Sequence, residues 1–126
     1  MTTRQVDPVA APHFTAAAEG RLVVQRCGEC AQLRWPPLPS CPECLGRDTA
    51  WVEVTPRGSV WSYVVYHRGF SAALAEQIPY TVVMVHLEDG PYLVGRLATE
   101  EPVAVGDPVE AVFGVDDGLV RWRVAP

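Results

Sequence analysis

The pattern of hydrophobic and polar positions divides the chain into two parts that differ in their residue types and predicted elements. In the first part, the stretch from Pro12 to Gly20 (PHFTAAAEG) predicts a short helix, because proline stands near its start and glycine just past its end. Residues 21–26 (RLVVQR) then predict a strand that leads into the first of four cysteines. The boundary between the two parts falls near residues 45–50, just after the last cysteine.

The second part is rich in β-branched and aromatic residues, which favour strands. Asp89-Gly90 and Asp117-Gly118 each separate two apolar runs, and Asp-Gly is a strong hairpin signal. Several short strands with turns between them indicate an antiparallel barrel or sandwich. The predicted strands cover residues 51–54, 58–68, 81–89, 91–98, 109–115 and 119–124.

One segment interrupts this series of strands. Within residues 69–80 (GFSAALAEQIPY), Phe70, Leu74 and Ile78 recur every four residues. That spacing places them on one face of a helix, so the segment predicts a short helix between two strands.

The four cysteines form two Cys-x-x-Cys pairs that are separated by ten residues: Cys27, Cys30, Cys41 and Cys44. Two such turns facing each other supply four thiolates at tetrahedral corners, which is the ligand set of a structural zinc site. A redox role is disfavoured because such a motif needs one pair at a helix start. The ligand set does not distinguish zinc from iron. Four cysteine ligands leave no open position for chemistry at the metal.

Length and composition indicate a globular protein of one domain, or of one modest domain with a small appended module. The chain has 126 residues, of which 48% are hydrophobic and 20% are charged. The predicted boundaries are 12–48 for the helix and zinc ribbon and 49–126 for the barrel. No apolar run approaches the ~20 residues of a membrane span, and the N-terminus does not resemble a signal peptide. We therefore expect a cytoplasmic protein, without contact to a membrane.

Charge and residue type disfavour several function classes. The formal net charge is −5, whereas a nucleic-acid-binding protein needs a basic surface. All ten basic residues are arginine, which excludes Schiff-base chemistry and a phosphate-binding lysine loop. The four tryptophans are therefore interpreted as core and module packing instead of a base-stacking platform: Trp35, Trp51, Trp61 and Trp122.

No motif for catalysis is apparent in the sequence. His13, His67 and His86 form no metal-binding or nucleophile–base pattern. The GFSAA stretch at 69–73 lacks the final glycine of a nucleophile elbow. We predict that the chain has no catalytic activity of its own.

Taken together, the motifs resemble a known family. The order GRLVVQRCGEC, RWPP, CPEC, GSVWSYVVYHR and IPY, followed by a strand and Asp-Gly, is similar to that of the DUF35 family. The resemblance covers residues 14–124 and implies a rubredoxin-like zinc ribbon followed by an OB-fold barrel. It also implies a mostly β protein with a short N-terminal helix.

The resemblance further implies a function. Members of this family are acyl-CoA-associated and work as non-catalytic partners of thiolase-superfamily enzymes, including aldolases of steroid side chains, thiolases and acyltransferases. We expect such a subunit here, with acyl-CoA at a site shared with the partner. Candidate contacts to the partner or to acyl-CoA are Phe70, Leu74, Ile78, Tyr80, His67, Arg68 and Arg34.

Three alternatives stay open at this stage. The helix predicted within residues 69–80 could instead cap the chain's own barrel. The whole protein could be a single-stranded nucleic-acid-binding OB-fold, which the net charge disfavours. It could also be a small stand-alone acyl-CoA enzyme.

Overall fold

A computed structural model describes residues 7–116 and 119–126. The predicted Asp117-Gly118 turn lies outside these residues. The described chain is dominated by strands, with one short helix before the ribbon and a second between two strands of the barrel. The elements are a 3₁₀ turn at Pro8–Ala10, α1 Ala11–Ala18, β1 Val23–Cys27, β2 Leu33–Arg34, β3 Thr49–Glu53, β4 Arg57–Tyr66, α2 Ala72–Ala75, β5 Tyr80–Leu87, β6 Tyr92–Arg96, β7 Pro108–Asp116 and β8 Leu119–Val124.

The first sheet contains three antiparallel strands in the order β2-β1-β3. Strand β1 is central, and its last residue, Cys27, is also the first cysteine of the cluster. Strand β3 begins at the predicted module boundary, yet it pairs with β1 from Val23 opposite Glu53 to Cys27 opposite Thr49. The first residues after the boundary therefore complete the sheet of the ribbon.

The second sheet is a five-stranded antiparallel barrel in the order β6-β5-β4-β7-β8. The barrel closes where β6 ends, because Leu97 forms a parallel bridge with Trp122 of β8. The amide of Ala98 also donates to the Trp122 carbonyl oxygen at 2.7 Å. This closure confirms the predicted antiparallel barrel, and Asp89-Gly90 forms its β5–β6 hairpin turn as expected.

The core is shared between the two sheets. Trp122 is completely buried, and a side chain at Gly95 would collide with its indole, since a Cβ there would lie 2.6 Å from Nε1. Leu22 and Val24, which flank the start of β1, are buried in the same cluster as the barrel residues. The ribbon is therefore packed onto the barrel through apolar contacts. The core consists of Leu22, Val24, Val54, Val60, Val83, Val85, Leu87, Leu93, Leu97, Val109 and Trp122.

Helix α1 matches its prediction and packs onto the sheets. It buries His13, Ala16 and Ala17 and contacts β1, β7 and β8. It ends before Gly20, whose φ of 82° is the left-handed conformation that glycine adopts after a helix. His13 Nδ1 lies 3.0 Å from the Val23 carbonyl oxygen and must donate to it, since a carbonyl can only accept.

Helix α2 is shorter than the 69–80 pattern predicts. It covers only Ala72–Ala75, begins after Ser71, whose Oγ accepts from the Leu74 amide, and buries no residue. Pro79 disfavours helical backbone at the preceding Ile78, so a helix cannot extend over the whole 69–80 pattern. The helix packed against the barrel is thus α1, which does not support the barrel cap considered for α2. In the part of the chain that the structure describes, neither helix is long and apolar enough to cross a membrane.

Acidification should destabilise the fold through His13. Burial lowers its pKa below the ordinary 6.5, while the bond to Val23 acts in the opposite direction. The unfolded chain therefore takes up a proton that the folded protein excludes. The free energy of unfolding should fall as the pH drops below about 6.5, by at most about 1.4 kcal/mol per pH unit.

Denaturant titrations of the wild type and His13→Gln at about pH 7.5 and pH 5.5 test this prediction. Other titrating groups are common to both proteins, so the variant should lose less stability between the two pH values. Equal losses would show that His13 does not contribute to the acid sensitivity.

Candidate metal centre and partner surface

The two cysteine pairs fold into two turns with the same backbone geometry. In the first turn, the Cys27 amide donates to the Gln32 carbonyl and the Ala31 amide donates to the Cys27 carbonyl. In the second turn, the Cys41 amide donates to the Gly46 carbonyl and the Leu45 amide donates to the Cys41 carbonyl. The residue after each pair is left-handed, with φ of 65° at Ala31 and 63° at Leu45. The sequence thus builds one ligand-presenting turn twice.

The four thiols converge on one point between these turns. Their sulfur atoms all lie within 4.8 Å of one another. Cys27 Sγ is 3.5 Å from Cys44 Sγ, and Cys30 Sγ is 3.6 Å from Cys41 Sγ. A tetrahedral ion with metal–sulfur bonds of ~2.3 Å requires sulfur–sulfur distances of about 3.8 Å, so the arrangement fits such an ion. The predicted ligands therefore form a metal-binding cluster.

Backbone amides favour the thiolate form of the first cysteine. The amides of Cys30 and Glu29 both donate to Cys27 Sγ, at 3.5 and 3.4 Å. These bonds lower the pKa of Cys27 to about 6. Metal binding requires deprotonated thiols, so the turn prepares this sulfur for coordination at neutral pH.

A buried polar network connects the cysteine turns to the ribbon sheet. The Arg34 guanidinium donates through Nη2 to the Leu38 carbonyl at 3.1 Å and to Thr49 Oγ1 at 2.7 Å. Gln25 Oε1 accepts from the Leu38 amide at 2.8 Å. Both side chains are buried, with Arg34 only 6% exposed. The network fixes the proline-rich segment between the two cysteine pairs.

Two of the predicted contact residues, Phe70 and Tyr80, belong to an aromatic cluster where β4 ends and β5 begins. Tyr80 stacks on Tyr66 with ring centroids 5.0 Å apart, and Phe70 meets the edge of Tyr66 at 6.4 Å. Arg96 lies over the Tyr80 ring, with its guanidinium carbon 4.3 Å from the ring centroid. Phe70 is 69% exposed, so this cluster presents an aromatic ring to solvent.

The remaining predicted contacts are placed differently. Leu74 and Ile78 are half-buried, whereas His67 and Arg68 are exposed. Arg68 lies beside the cluster, with its guanidinium carbon 5.4 Å from the Phe70 centroid. Arg34 does not join this group, because it is buried in the ribbon network described above.

Sequence reasoning missed an apolar face on the barrel. Trp61 was expected to pack internally but is 57% exposed. Its ring centroid lies 6.0 Å from that of His86 and 5.4 Å from that of Tyr92, while His86 and Tyr92 stack at 4.5 Å. The register of β4 shifts between Val60 and Ser62, and this irregularity interrupts the alternation that would have revealed the face. The prediction of internal packing holds for Trp122, which is buried, and is wrong for Trp61.

Two family models match consecutive parts of the chain. A ChsH2 rubredoxin-like zinc ribbon domain matches residues 14–50, and a ChsH2 C-terminal OB-fold domain matches residues 51–114. Their order is the order of the ribbon and the barrel in the structure. The OB-fold expected from the sequence resemblance is therefore confirmed.

Known proteins resemble the chain over most of its length. A probable enoyl-CoA hydratase alpha subunit of Thermomonospora curvata is 42% identical over 98 residues, which cover 76% of this chain but only 30% of that relative. The chain thus spans less than a third of that subunit. A DUF35 domain-containing scaffold protein of Methanocaldococcus jannaschii is 31% identical over 110 residues, covering 80% of this chain and 77% of the relative.

A solved structure matches both modules. The match is to a structure described as Ltp2-ChsH2(DUF35) aldolase, with a TM-score of 0.84 and 36% identity. It covers 98% of this chain and 100% of the matched chain. The ribbon, the barrel and their order are thus those of the ChsH2-type zinc ribbon and OB-fold, and the chain belongs to the DUF35 family.

Proposed function

We propose that the chain is a non-catalytic subunit of a thiolase-superfamily enzyme that acts on acyl-CoA thioesters. The observation that carries this proposal is the match, over nearly the whole chain, to the DUF35 protein of an aldolase. The scaffold-protein name of the archaeal relative supports the same role. In this account the catalytic residues belong to the partner, and the two proteins meet in the cytoplasm.

The exposed end of the β4–β5 hairpin supplies the proposed partner surface. Phe70 projects from an aromatic cluster whose rings already pack on each other, so the side chain is held in place before binding. Preorganised aromatic side chains are typical anchors of protein interfaces. Leu74, Ile78 and Tyr80 of the same segment are half-buried and extend the apolar area.

We further propose that acyl-CoA approaches beside this surface. His67 and Arg68 are exposed next to Phe70, and an arginine suits phosphate recognition because its planar guanidinium donates several hydrogen bonds. Arg34 is better suited to holding the ribbon, since its Nη2 donates to Leu38 and Thr49. The nucleic-acid alternative is not favoured, because the chain carries a net charge of −5.

The metal is proposed to be a structural zinc ion. Four thiolates satisfy its tetrahedral preference, and the ion would hold the two cysteine turns together without taking part in chemistry. Its binding would add folding free energy to a ribbon that contributes few residues to the core.

Replacing Cys41 by serine should remove the zinc and weaken partner binding together, because the ribbon loses one of its four ligands. Metal content by plasma mass spectrometry should fall from one zinc per chain to well under one. Glu43→Gln is the matched control, since this exposed residue lies in the same turn but supplies no ligand. Normal partner binding by metal-free Cys41→Ser would contradict a structural role in the complex.

Affinity capture from the native host tests the proposed function. The tagged chain should recover a thiolase-superfamily subunit at near-equal molar amounts, identified by mass spectrometry. Phe70→Asp should weaken this complex by about tenfold or more, because it places a charge in an apolar contact.

Leu45→Asp serves as the control for the added charge. Leu45 is 78% exposed and lies on the second cysteine turn of the ribbon, on a different module from Phe70. It should bind like the wild type. Recovery of nucleic acid, or of no thiolase-superfamily protein, would refute the proposed function, whereas equal binding by Phe70→Asp and Leu45→Asp would move the interface elsewhere.

A further inference from the structure

One edge of strand β4 is left unpaired over its second half. Strand β7 pairs with β4 only from Arg57 to Ser59, and Val60 then exchanges backbone hydrogen bonds with Asp107 and Gly106. Beyond Val60, no backbone hydrogen bond from another described residue reaches this edge. Residues 61–66 are therefore held by β5 on one side alone.

The direction of each amide follows from the bonding of β5. The carbonyl of Thr81 accepts from Leu97 at 3.0 Å and the amide of Leu87 donates to Pro91 at 3.0 Å, so the odd-numbered residues of β5 face β6. Its even-numbered residues face β4, because directions alternate along a strand. Their partners on β4 are Ser62 opposite Met84, Val64 opposite Val82 and Tyr66 opposite Tyr80.

The backbone groups of Tyr63 and Val65 consequently point to the open edge. Each residue offers one N–H and one C=O there. Natural sheets usually protect such an edge with charged residues, proline or a cover. Here residues 58–66 (GSVWSYVVY) contain no charged residue and no proline.

Apolar side chains flank this edge on both faces of the hairpin. Tyr63 and Val65 are each 42% exposed on the face of the buried Val83, and Val64 is 53% exposed on the opposite face. A strand added at the edge would therefore gain hydrogen bonds and apolar contacts above and below it. Such strand addition is a general mode of protein recognition.

We infer that an extended, uncharged segment of the partner enzyme pairs with β4 at Tyr63 and Val65. This inference rests on the proposed function and adds the mode of binding. The edge is continuous with the proposed partner surface, because Tyr66 at the end of β4 contacts both Phe70 and Tyr80. A second copy of the chain is a less suitable occupant, since each copy carries a net charge of −5.

Proline at Val65 tests the inference, because it removes the outward N–H and leaves the bonds of Val64 to β5 intact. Val65→Pro should weaken binding of the captured thiolase-superfamily subunit by about tenfold or more. Val65→Thr keeps the amide and the branched shape, and its Kd should stay within about threefold of the wild type. Thermal melting of both variants establishes that they are folded.

Hydrogen exchange of the wild type provides a second test that needs no variant. The amides of Tyr63 and Val65 should exchange quickly in the free protein and at least about tenfold more slowly in the complex. The Val64 amide, which already bonds to β5, should be protected in both states and serves as the internal control.

The outcomes separate the two proposals. If the wild type binds the subunit but Val65→Pro binds like Val65→Thr, or the two amides stay unprotected in the complex, strand addition is refuted and the proposed function stands. If the wild-type chain alone forms a dimer that Val65→Pro dissociates, the edge belongs to a second copy and the inference is overturned. If the wild type binds no thiolase-superfamily subunit, both proposals fall.

Discussion

The convergence of four thiols on one point is the constraint on which the ribbon depends. Cys27 belongs to the thiol cluster and is also the last residue of β1, so a metal bound there would fix one end of the central ribbon strand. At the other end of the same strand, Val24 is buried in the core of the barrel. The site and the core are therefore connected through the continuous backbone of β1. Loss of the metal would therefore destabilise the packing of the ribbon on the barrel as well as the ribbon itself.

The barrel is closed, but the edge of β4 beyond Val60 is not covered by a described residue. The Trp122 indole is fully buried against Gly95, and β8 is bridged to the end of β6, which closes the barrel. Beyond the irregularity after Val60, β4 continues along β5 with exposed apolar residues, while β5 pairs with β6 on its other side. An uncharged sheet edge is usually covered in natural proteins, so the open edge of β4 is better explained by a partner that pairs with it.

Local signals in the sequence predicted most elements of the fold. Helix α1 has glycine after its end, the β5–β6 hairpin has Asp-Gly, and the cysteine spacing predicted a cluster whose four sulfur atoms lie within 4.8 Å of one another. These features succeed because neighbouring residues determine them. The helix within residues 69–80 was predicted too long, because the four-residue spacing outweighed Pro79 in the interpretation.

The features that the sequence did not predict depend on contacts between distant parts of the chain. No local pattern shows that β3 pairs with β1, since that pairing joins residues on either side of the whole metal site. Burial of Arg34 arises from acceptors at Leu38 and Thr49 that only the folded ribbon brings close. Trp61 is exposed because an irregularity in β4 changes which face it occupies. The open edge at Tyr63 and Val65 likewise follows from where β7 stops pairing.

The central claim is that this chain supports the chemistry of another protein. The most direct measurement is the turnover of an acyl-CoA thioester by the thiolase-superfamily partner, with and without the chain. The account predicts no turnover by the chain alone, little by the partner alone, and restored turnover when both are mixed in equal amounts. Turnover by the chain alone, or a partner whose rate is unchanged by its addition, would contradict the account.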